Sequence, residues 1–315
     1  MSPAALPAPS LRGHPALMGR VHVGTSGFAY RHWRGVLYPP DLPARLWFRH
    51  YCSEFQTLEL NNTFYRLPRP EAVDRWRREA PAGFLFAAKG SRFLTHMKRL
   101  LDAERGIGRF FDPISHLGEK LAVVLWQLPP GWRANPERLD RFLAALPRDV
   151  RHAVEFRDES WYSDEVCEVL DRHRAAFCEH DLVERAPPRL TGGFRYVRFH
   201  GRTGRALPGG IGGGAPDVED GEAGGPPCAG GAAAGRYGLR ALEPWATDLS
   251  RSARRGDAFV YFNNDVGGDA VHDARALVGL LGDTGHASNR IRSGSSTHSF
   301  TRTRKDTASR PSTRR

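Results

Sequence analysis

Carboxylates and amides recur on one side of short strand-like runs in this sequence. The run "LELNNTFYRL" begins at Leu58 and alternates its leucines with Glu59 and Asn61. The run "AVEFR" repeats this alternation, and its polar positions are Glu155 and Arg157. A carboxylate placed in this way can act as a general base, or as a general acid if burial raises its pKa. We therefore predict Glu59 and Glu155 to be catalytic residues.

Cationic and amide side chains end the other runs. Lys89 ends "GFLFAAKG", and Arg198 and His200 lie in "FRYVRFHG". With Arg157, these groups could hold an anion and the charge that develops on it. His200 could also shuttle a proton, so we add Lys89 and His200 to the predicted catalytic residues. The polar residues predicted to bind substrate are Ser26, Asn61, Gln127, Arg157, Arg198, Asn263 and Asn264.

Aromatic residues lie just beyond several of these strand ends. They are Tyr30, Trp33, Tyr65 and Trp161, with Phe64 directly before Tyr65. Their rings could stack on a sugar or a base, so we predict Tyr30, Trp33, Tyr65 and Trp161 to bind substrate. The alternative for each ring is packing beneath a loop.

Five residues have side chains that suit a divalent metal, namely Glu59, Glu155, His180, Asp181 and His200. No HxH, HxxxH or carboxylate–His spacing favours a metal over a network of ion pairs. We therefore predict no metal site and no cofactor, with a divalent metal as the alternative.

Short strands and amphipathic helices alternate along the chain and must position these residues. We predict eight strands, at 20–27, 57–62, 83–90, 120–130, 151–157, 175–181, 194–201 and 257–264. We predict helices at 43–55, 70–80, 106–118, 135–146, 163–174, 241–255 and 269–282. Pro244 is expected to lie near the start of its helix, and Asn135 and Ser163 are expected to cap theirs.

Eight strands, most of them followed by a helix, indicate an α/β fold and a (β/α)8 TIM-type barrel in a single domain over residues 20–282. The carboxyl ends of the strands then share one face, where barrel enzymes build their sites. Structural ion pairs at a barrel rim are the alternative for the polar ends. An open doubly wound sheet is the alternative fold, although no GxGxxG or Walker loop supports it.

Charge and composition separate the barrel from its flanking segments. Of the net charge of +11, residues 283–315 carry +6 (eight Lys/Arg against two Asp/Glu) and residues 1–20 carry +2. The +3 that remains for the rest of the chain does not require a polyanion. We expect a disordered extension at 1–19, a flexible Gly/Ala-rich insertion at 205–235 and a disordered basic tail at 283–315. The tail alone could bind nucleic acid non-specifically.

The sequence indicates a cytoplasmic protein. It contains neither a run of about 18 apolar residues nor a secretory signal, so we expect no contact with a membrane. The four cysteines, Cys52, Cys167, Cys178 and Cys228, match no common zinc spacing and are expected to be reduced.

Seven collinear motifs carry a resemblance to a known family. They read "VHVGTSGFAYRHWRGVLYPP", "TLELNNTFYRLP", "FAAKGSRFLTH", "LWQLPP", "AVEFRDESWY", "YVRFHG" and "VYFNND". Over residues 20–204 and 236–282 the chain resembles the domain of unknown function 72 family. The resemblance implies a TIM-type barrel, related in fold to the barrels of endonuclease IV and xylose isomerase, and implies no activity. The long Gly/Ala-rich insertion and the basic tail depart from the family pattern.

These residues predict an enzyme that acts on a phosphate- or hydroxyl-rich substrate, such as a sugar phosphate or nucleic acid. A hydrolase or a lyase would fit this prediction. The alternative is a module that binds nucleic acid or a small anion without chemistry. Turnover of a ligand would separate the two.

Overall fold

The fold is an α/β arrangement of parallel strands and helices. A computed structural model of the protein describes residues 19–201 and 235–283. In this part of the chain nine strands are present: β1 Val21–Thr25, β2 Thr57–Leu60, β3 Leu85–Lys89, β4 Leu121–Gln127, β5 Arg151–Glu155, β6 Ala176–Phe177, β7 Glu179–His180, β8 Arg195–Phe199 and β9 Ala258–Phe262. The α-helices are α1 Trp47–Glu54, α2 Pro70–Glu79, α3 Glu104–Ile114, α4 Pro136–Ala144, α5 Asp164–Arg172, α6 Leu239–Ser252 and α7 Asp269–Asp283.

The strands form two sheets that are not closed into a barrel by hydrogen bonds. One sheet has the order β1-β9-β8-β7 and the other has the order β2-β3-β4-β5-β6, and the pairing is parallel throughout. The predicted α/β class is therefore confirmed, whereas the predicted closure of eight strands into one barrel is not shown. The predicted strand 175–181 is divided at Cys178, because β6 pairs with β5 and β7 pairs with β8.

The two sheets approach each other where β1 meets β2. Ser26 forms an isolated parallel bridge with Glu59, and the Gly27 N–H donates to the Glu59 carbonyl over 2.8 Å. A Cβ atom on Gly24 would lie 2.2 Å from the Thr57 carbonyl oxygen, so this approach requires glycine. The first and second strands therefore deliver Ser26 and Glu59 to the same place.

Two apolar layers explain the alternation along the strands. Leu58, Val154 and Val197 belong to a large core between the strands and the helices. A second buried cluster draws Ala87, Val123, Leu125 and Ala153 from one sheet and Tyr196, Phe259 and Tyr261 from the other. Because this cluster joins residues of both sheets, the sheets face a common interior, and the predicted alternation is confirmed.

The helices begin and end close to their predicted positions. Asn135 caps α4 by accepting a hydrogen bond from the Arg138 N–H at 2.9 Å, and Ser163 caps α5 through the Val166 N–H at 3.4 Å. Pro244 lies within α6 rather than near its start. The carbonyl that loses its partner there belongs to Arg240, which is exposed and can bind water instead.

Several predictions concern segments outside the described residues. We expected disorder at 1–19, 205–235 and 283–315, and apart from residues 19, 235 and 283 these segments lie outside the described residues. Cys228 also lies outside them. Within the described residues, no helix is both long enough and apolar enough to cross a membrane.

Candidate functional site

A buried arginine joins the carboxyl ends of strands from both sheets. Arg198 of β8 donates from Nη2 to Glu59 Oε1 at 2.8 Å and from Nη1 to Glu155 Oε2 at 2.6 Å. All three side chains are fully buried. Three of the predicted site residues therefore converge in space, although they lie on β2, β5 and β8.

Glu59 is held by three donors. Beside Arg198, the Tyr196 hydroxyl donates to Oε2 at 2.6 Å, and the Ser26 hydroxyl donates to Oε1. Arg198 also lies 3.3 Å from the Ser26 hydroxyl. Ser26 and Glu59 therefore belong to the buried network, and protein donors contact both oxygens of Glu59.

Glu155 is a carboxylate that stays ionised. Arg157 donates from Nε to Oε1 at 2.8 Å, and Arg198 holds the other oxygen. Burial acts to raise the pKa of Glu155, but the charges of Arg198 and Arg157 outweigh it and hold the pKa well below its usual value. The role of general acid, which we expected only if burial raised this pKa, therefore gains no support at Glu155.

Lys89 ends β3 and presents a cation without a counterion. Its side-chain nitrogen lies 4.2 Å from the centre of the Phe64 ring, and the residue is only 6% exposed. Among the described residues, this nitrogen makes no hydrogen bond and no ion pair. Burial, with the charges of Arg198 and Arg157, lowers the pKa of Lys89 to about 7.

His200 is a neutral, nearly buried imidazole beside Glu155. Asn263 donates from Nδ2 to His200 Nδ1 at 3.2 Å, so the proton of the neutral ring lies on Nε2. That Nε2 lies 3.6 Å from Glu155 Oε1 and makes no hydrogen bond among the described residues. Burial lowers the pKa of His200 well below its usual value, so the ring offers a neutral N–H donor at neutral pH.

His96 is a site residue that the sequence reasoning missed. Its ring packs edge-on against Phe64 at 5.0 Å between centroids, and burial together with the charge of Lys89 lowers its pKa to about 4. His96 lies in a short π-helical segment, Phe93–Met97, which begins four residues after Lys89. His96 is the last residue of the motif "FAAKGSRFLTH". Its distance from the end of β3 did not predict a site residue, because the irregular π-helical turn determines where His96 lies.

Two of the predicted ligand-stacking rings are core residues instead. Trp33 is fully buried and donates from Nε1 to Asp265 Oδ1 at 2.6 Å. Trp161 is fully buried, stacks on Phe156 and donates to the Trp132 carbonyl at 2.6 Å. Neither ring offers a face to a ligand, so the prediction that they bind substrate is corrected to packing beneath loops.

The other predicted rings keep some exposure. Tyr30 is partly buried, and its hydroxyl donates to the Ser26 carbonyl at 2.9 Å. Tyr65 is 38% exposed and packs edge-on against Phe64. These two tyrosines are the predicted aromatic residues that retain accessible surface near the strand ends.

The predicted amides divide between the site and its support. Asn61 follows β2 and is nearly buried, and Asn263 contacts His200. Gln127 donates to the Leu128 carbonyl at 2.9 Å, and Asn264 donates to Asp273 on α7 at 2.8 Å. Gln127 and Asn264 therefore hold local backbone and a helix in place.

The potential metal ligands are engaged elsewhere. His180 Nε2 bonds to the Phe156 carbonyl at 2.6 Å, and Asp181 accepts from the His200 backbone N–H at 2.9 Å and from the Tyr237 hydroxyl. In residues 19–201 and 235–283, no group of three or more His, Cys, Asp or Glu side chains is arranged to hold a metal ion.

Solved structures with a similar fold come from two bacteria. A DUF72 family protein from Thermotoga maritima is 28% identical, with a TM-score of 0.67 over 84% of this chain and 99% of that one. A DUF72 family protein from Enterococcus faecalis is 18% identical, with a TM-score of 0.65 over 83% of this chain and 95% of that one. The second likeness supports the fold alone.

Sequence relatives agree with the structural ones. The UPF0759 protein YunF of Bacillus subtilis is 27% identical over 284 residues, which cover 83% of this chain and 94% of YunF. The UPF0759 protein YecE of Escherichia coli K12 is 31% identical over 115 residues, which cover 36% of this chain and 42% of YecE. The family model described as "Protein of unknown function DUF72" matches residues 22–296, and the chain therefore belongs to the DUF72 family.

Proposed function

We propose that the polar cluster at the carboxyl ends of β2, β3, β5 and β8 binds and chemically alters an anionic, hydroxyl-rich substrate, such as a sugar phosphate or a nucleic acid. In this proposal the two sheets act together as the wall of a TIM-type barrel, whose apolar interior layer supports the polar layer. The thiols of Cys52, Cys167 and Cys178, which are buried and free, support a location in the reducing cytoplasm.

The observation that carries the proposal is the unpaired amine of Lys89. Three cations, Lys89, Arg157 and Arg198, share the cluster with two carboxylates, Glu59 and Glu155. The arginines occupy both carboxylates, so the lysine is left over. A buried cation without a partner is costly, and an anionic ligand would compensate it.

Arg157 supports an anion site from the more accessible side. Its side chain is 20% exposed, and only its Nε is bonded to Glu155. Within the described part of the chain, its two terminal nitrogens make no hydrogen bond. A guanidinium held in this way can still present two N–H donors to a phosphate or carboxylate group.

The neutral groups of the cluster suit proton transfer. Lys89, with its pKa of about 7, can both accept and donate a proton near neutral pH. His200 presents an Nε2–H donor that lacks a partner among the described residues. In the proposed enzyme, Lys89 takes the acid–base role, His200 and Arg157 stabilise negative charge, and Glu59 and Glu155 hold the arginines in place.

The second candidate is a module that binds an anion without changing it. The observation in its favour is that Arg198 and Arg157 already occupy both candidate bases. A ligand that stabilises the protein and is recovered unchanged after long incubation would favour this function over an enzyme.

A thermal-shift screen on the full chain tests the proposal. The ligands are sugar phosphates, nucleotides, single- and double-stranded oligonucleotides and abasic duplex. A ligand at 100 times its dissociation constant adds about 2.7 kcal/mol of stability. We expect at least one such ligand to stabilise the wild type, and its products are then assayed.

Two variants place the site. Lys89→Met removes the unpaired amine, and Lys98→Met removes a lysine whose side chain is 42% exposed. Stabilisation that is lost in Lys89→Met and kept in Lys98→Met supports the proposed site. Stabilisation that survives in Lys89→Met, or no stabilisation by any of these ligands, contradicts it.

A further inference from the structure

We infer that the Lys89 amine is a nucleophile that condenses with an aldehyde or ketone of the substrate, so that the site acts on carbonyl compounds that carry an anionic group. This inference rests on the proposed anion site and adds to it the class of the reacting group. It is carried by the position of Lys89 relative to the ion pairs around it.

The ion pairs leave the lysine nitrogen free. Arg198 bridges Glu59 and Glu155, and Arg157 binds the remaining oxygen of Glu155. An ammonium that pairs with a carboxylate keeps its proton and has no electron pair to donate. Here the arginines, which stay protonated, pair with the carboxylates in place of the lysine. Among the described residues the lysine nitrogen therefore forms no ion pair with either carboxylate, and their charges offset only part of the fall in its pKa.

The surroundings of the nitrogen favour its neutral form. It lies over the Phe64 ring at 4.2 Å, and the residue is 6% exposed. Burial and the neighbouring guanidinium groups of Arg198 and Arg157 lower its pKa to about 7, so a large fraction of the amine is neutral at pH 7. Lysine nucleophiles are activated by this combination of an apolar contact and nearby positive charge.

The chemistry requires only the amine and the carbonyl compound. The nitrogen lone pair attacks the carbonyl carbon, a C–N bond forms, and the C=O π pair moves to oxygen, which takes a proton. The nitrogen loses a proton, and the resulting carbinolamine expels its hydroxyl group as water when that group is protonated. The product is an imine, or an iminium ion when its nitrogen is protonated, and nothing is oxidised or reduced.

Two neutral imidazoles lie close to the groups that surround Lys89. His96 contacts the Phe64 ring that also carries Lys89, and His200 contacts the carboxylate that Arg198 and Arg157 share. Both rings are neutral at pH 7 because burial lowers their pKa. His96 can take up the proton that the nitrogen loses, and His200 can donate to the carbonyl oxygen.

Reductive trapping tests the inference directly in the full chain. The protein is incubated at pH 7 with glycolaldehyde phosphate and sodium cyanoborohydride, digested and analysed by mass spectrometry. Besides Lys89, the sequence has three lysines, Lys98, Lys120 and Lys305, which serve as internal controls. We expect Lys89 to be labelled at least about tenfold faster than Lys98 or Lys120, because its lowered pKa of about 7 leaves about half of its amine neutral at pH 7. Equal labelling of these lysines would overturn the inference.

A variant and a competing ligand show that loss of labelling at Lys89 does not come from unfolding. Lys89→Arg retains the positive charge, and its circular dichroism and melting temperature show whether it is folded. We expect the folded variant to lose the trapped adduct at this position and to keep the slow labelling of Lys98. Glycerol phosphate, which has no carbonyl group, should slow the trapping at Lys89 by competition. Unlabelled Lys89 in a wild-type protein that labels elsewhere contradicts the inference without any variant.

The two proposals can fail separately. If glycerol phosphate stabilises the wild type but not Lys89→Met, and no adduct forms at Lys89, the anion site stands and the imine is wrong. If glycolaldehyde phosphate and unphosphorylated glycolaldehyde label Lys89 equally, and glycerol phosphate neither binds nor competes, the amine is nucleophilic and the anion site is wrong. If Lys89 is neither labelled nor needed for binding, both are wrong.

Discussion

The two ends of the strands both carry networks of charged side chains, but only one network is complete. At the amino ends, Arg151 binds Asp257 at 2.8 Å, and Arg195 binds Glu179 at 2.8 Å and Asp248 at 2.7 Å. Each of these arginines has a carboxylate partner. At the carboxyl ends Arg198 and Arg157 are also paired, whereas Lys89, among the described residues, is not.

The networks also differ in exposure. The side chains of Arg198, Glu59 and Glu155 are fully buried, whereas those of the amino-end network range from 7% exposed for Arg195 to 54% exposed for Asp248. A complete network near solvent needs no ligand and adds modest stability. A buried network with one cation left over suggests a place where a ligand completes the charge balance. Three variants test this difference.

Arg198→Met is expected to have the largest effect, a loss of about 3–5 kcal/mol in the free energy of unfolding. The substitution removes the cation that both Glu59 and Glu155 share, and it leaves two carboxylates buried beside each other. Urea denaturation monitored by circular dichroism measures the loss. A loss below about 1 kcal/mol would show that the buried network is no more important than a surface pair.

Lys89→Met is expected to change how stability depends on pH. The native lysine loses its proton near pH 7, whereas the unfolded lysine keeps it to about 10.5. Between these values the unfolded chain binds more protons, so the stability contributed by this residue rises with pH. Between pH 7 and pH 9 the wild type should gain about 2 kcal/mol relative to Lys89→Met.

Urea denaturation at the two pH values provides this measurement, with Lys98→Met as the matched control. Lys98 lies in an exposed pair with Asp102, so its removal should leave the pH dependence of the wild type unchanged. Parallel pH profiles for the wild type and Lys89→Met would mean that Lys89 keeps an ordinary pKa, and the charge difference between the two ends would disappear.

Arg151→Met is expected to have the smallest effect, a loss of at most about 1 kcal/mol. The substitution removes a half-exposed ion pair with Asp257 and a cation–π contact with Phe194 at 5.6 Å. The small loss should shrink further in 1 M salt, because exposed pairs are screened. Any ligand found in the thermal-shift screen should stabilise this variant as it does the wild type. Loss of that stabilisation would place the ligand at the wrong end of the strands.

The sequence predicted the arrangement of the site better than its pairings. Alternation of Leu58 with Glu59 and of Val154 with Glu155 placed the carboxylates on one side of their strands. Parallel strands then bring their carboxyl ends together. The partners could not be predicted, because Arg198 contacts residues that precede it by 139 and by 43 positions. Such distant contacts depend on the three-dimensional order of the strands.

The errors arose where loops or backbone pairing decide the outcome. Trp33 and Trp161 follow strand ends as ligand-stacking rings would, but their indole N–H groups find Asp265 and the Trp132 carbonyl. A bulky ring with an internal partner is more stable in the core than at a rim. The division of a strand at Cys178 depends on a change of neighbour from β5 to β8, which leaves no trace in local composition.

The pairing of β1 with β9 has a consequence for folding during synthesis on the ribosome. Val21 pairs with Ala258, and the Arg20 N–H bonds to the Asp257 side chain across 237 positions. The first strand therefore leaves the ribosome long before its partner in the sheet has been synthesised. At about 5–20 residues per second, this strand waits roughly 10–50 seconds for β9. During that interval Val21 and Val23, which are buried in the finished fold, lack their sheet neighbour. Contacts of this sequence separation form late, so completion of the four-stranded sheet is expected to be among the last steps of folding.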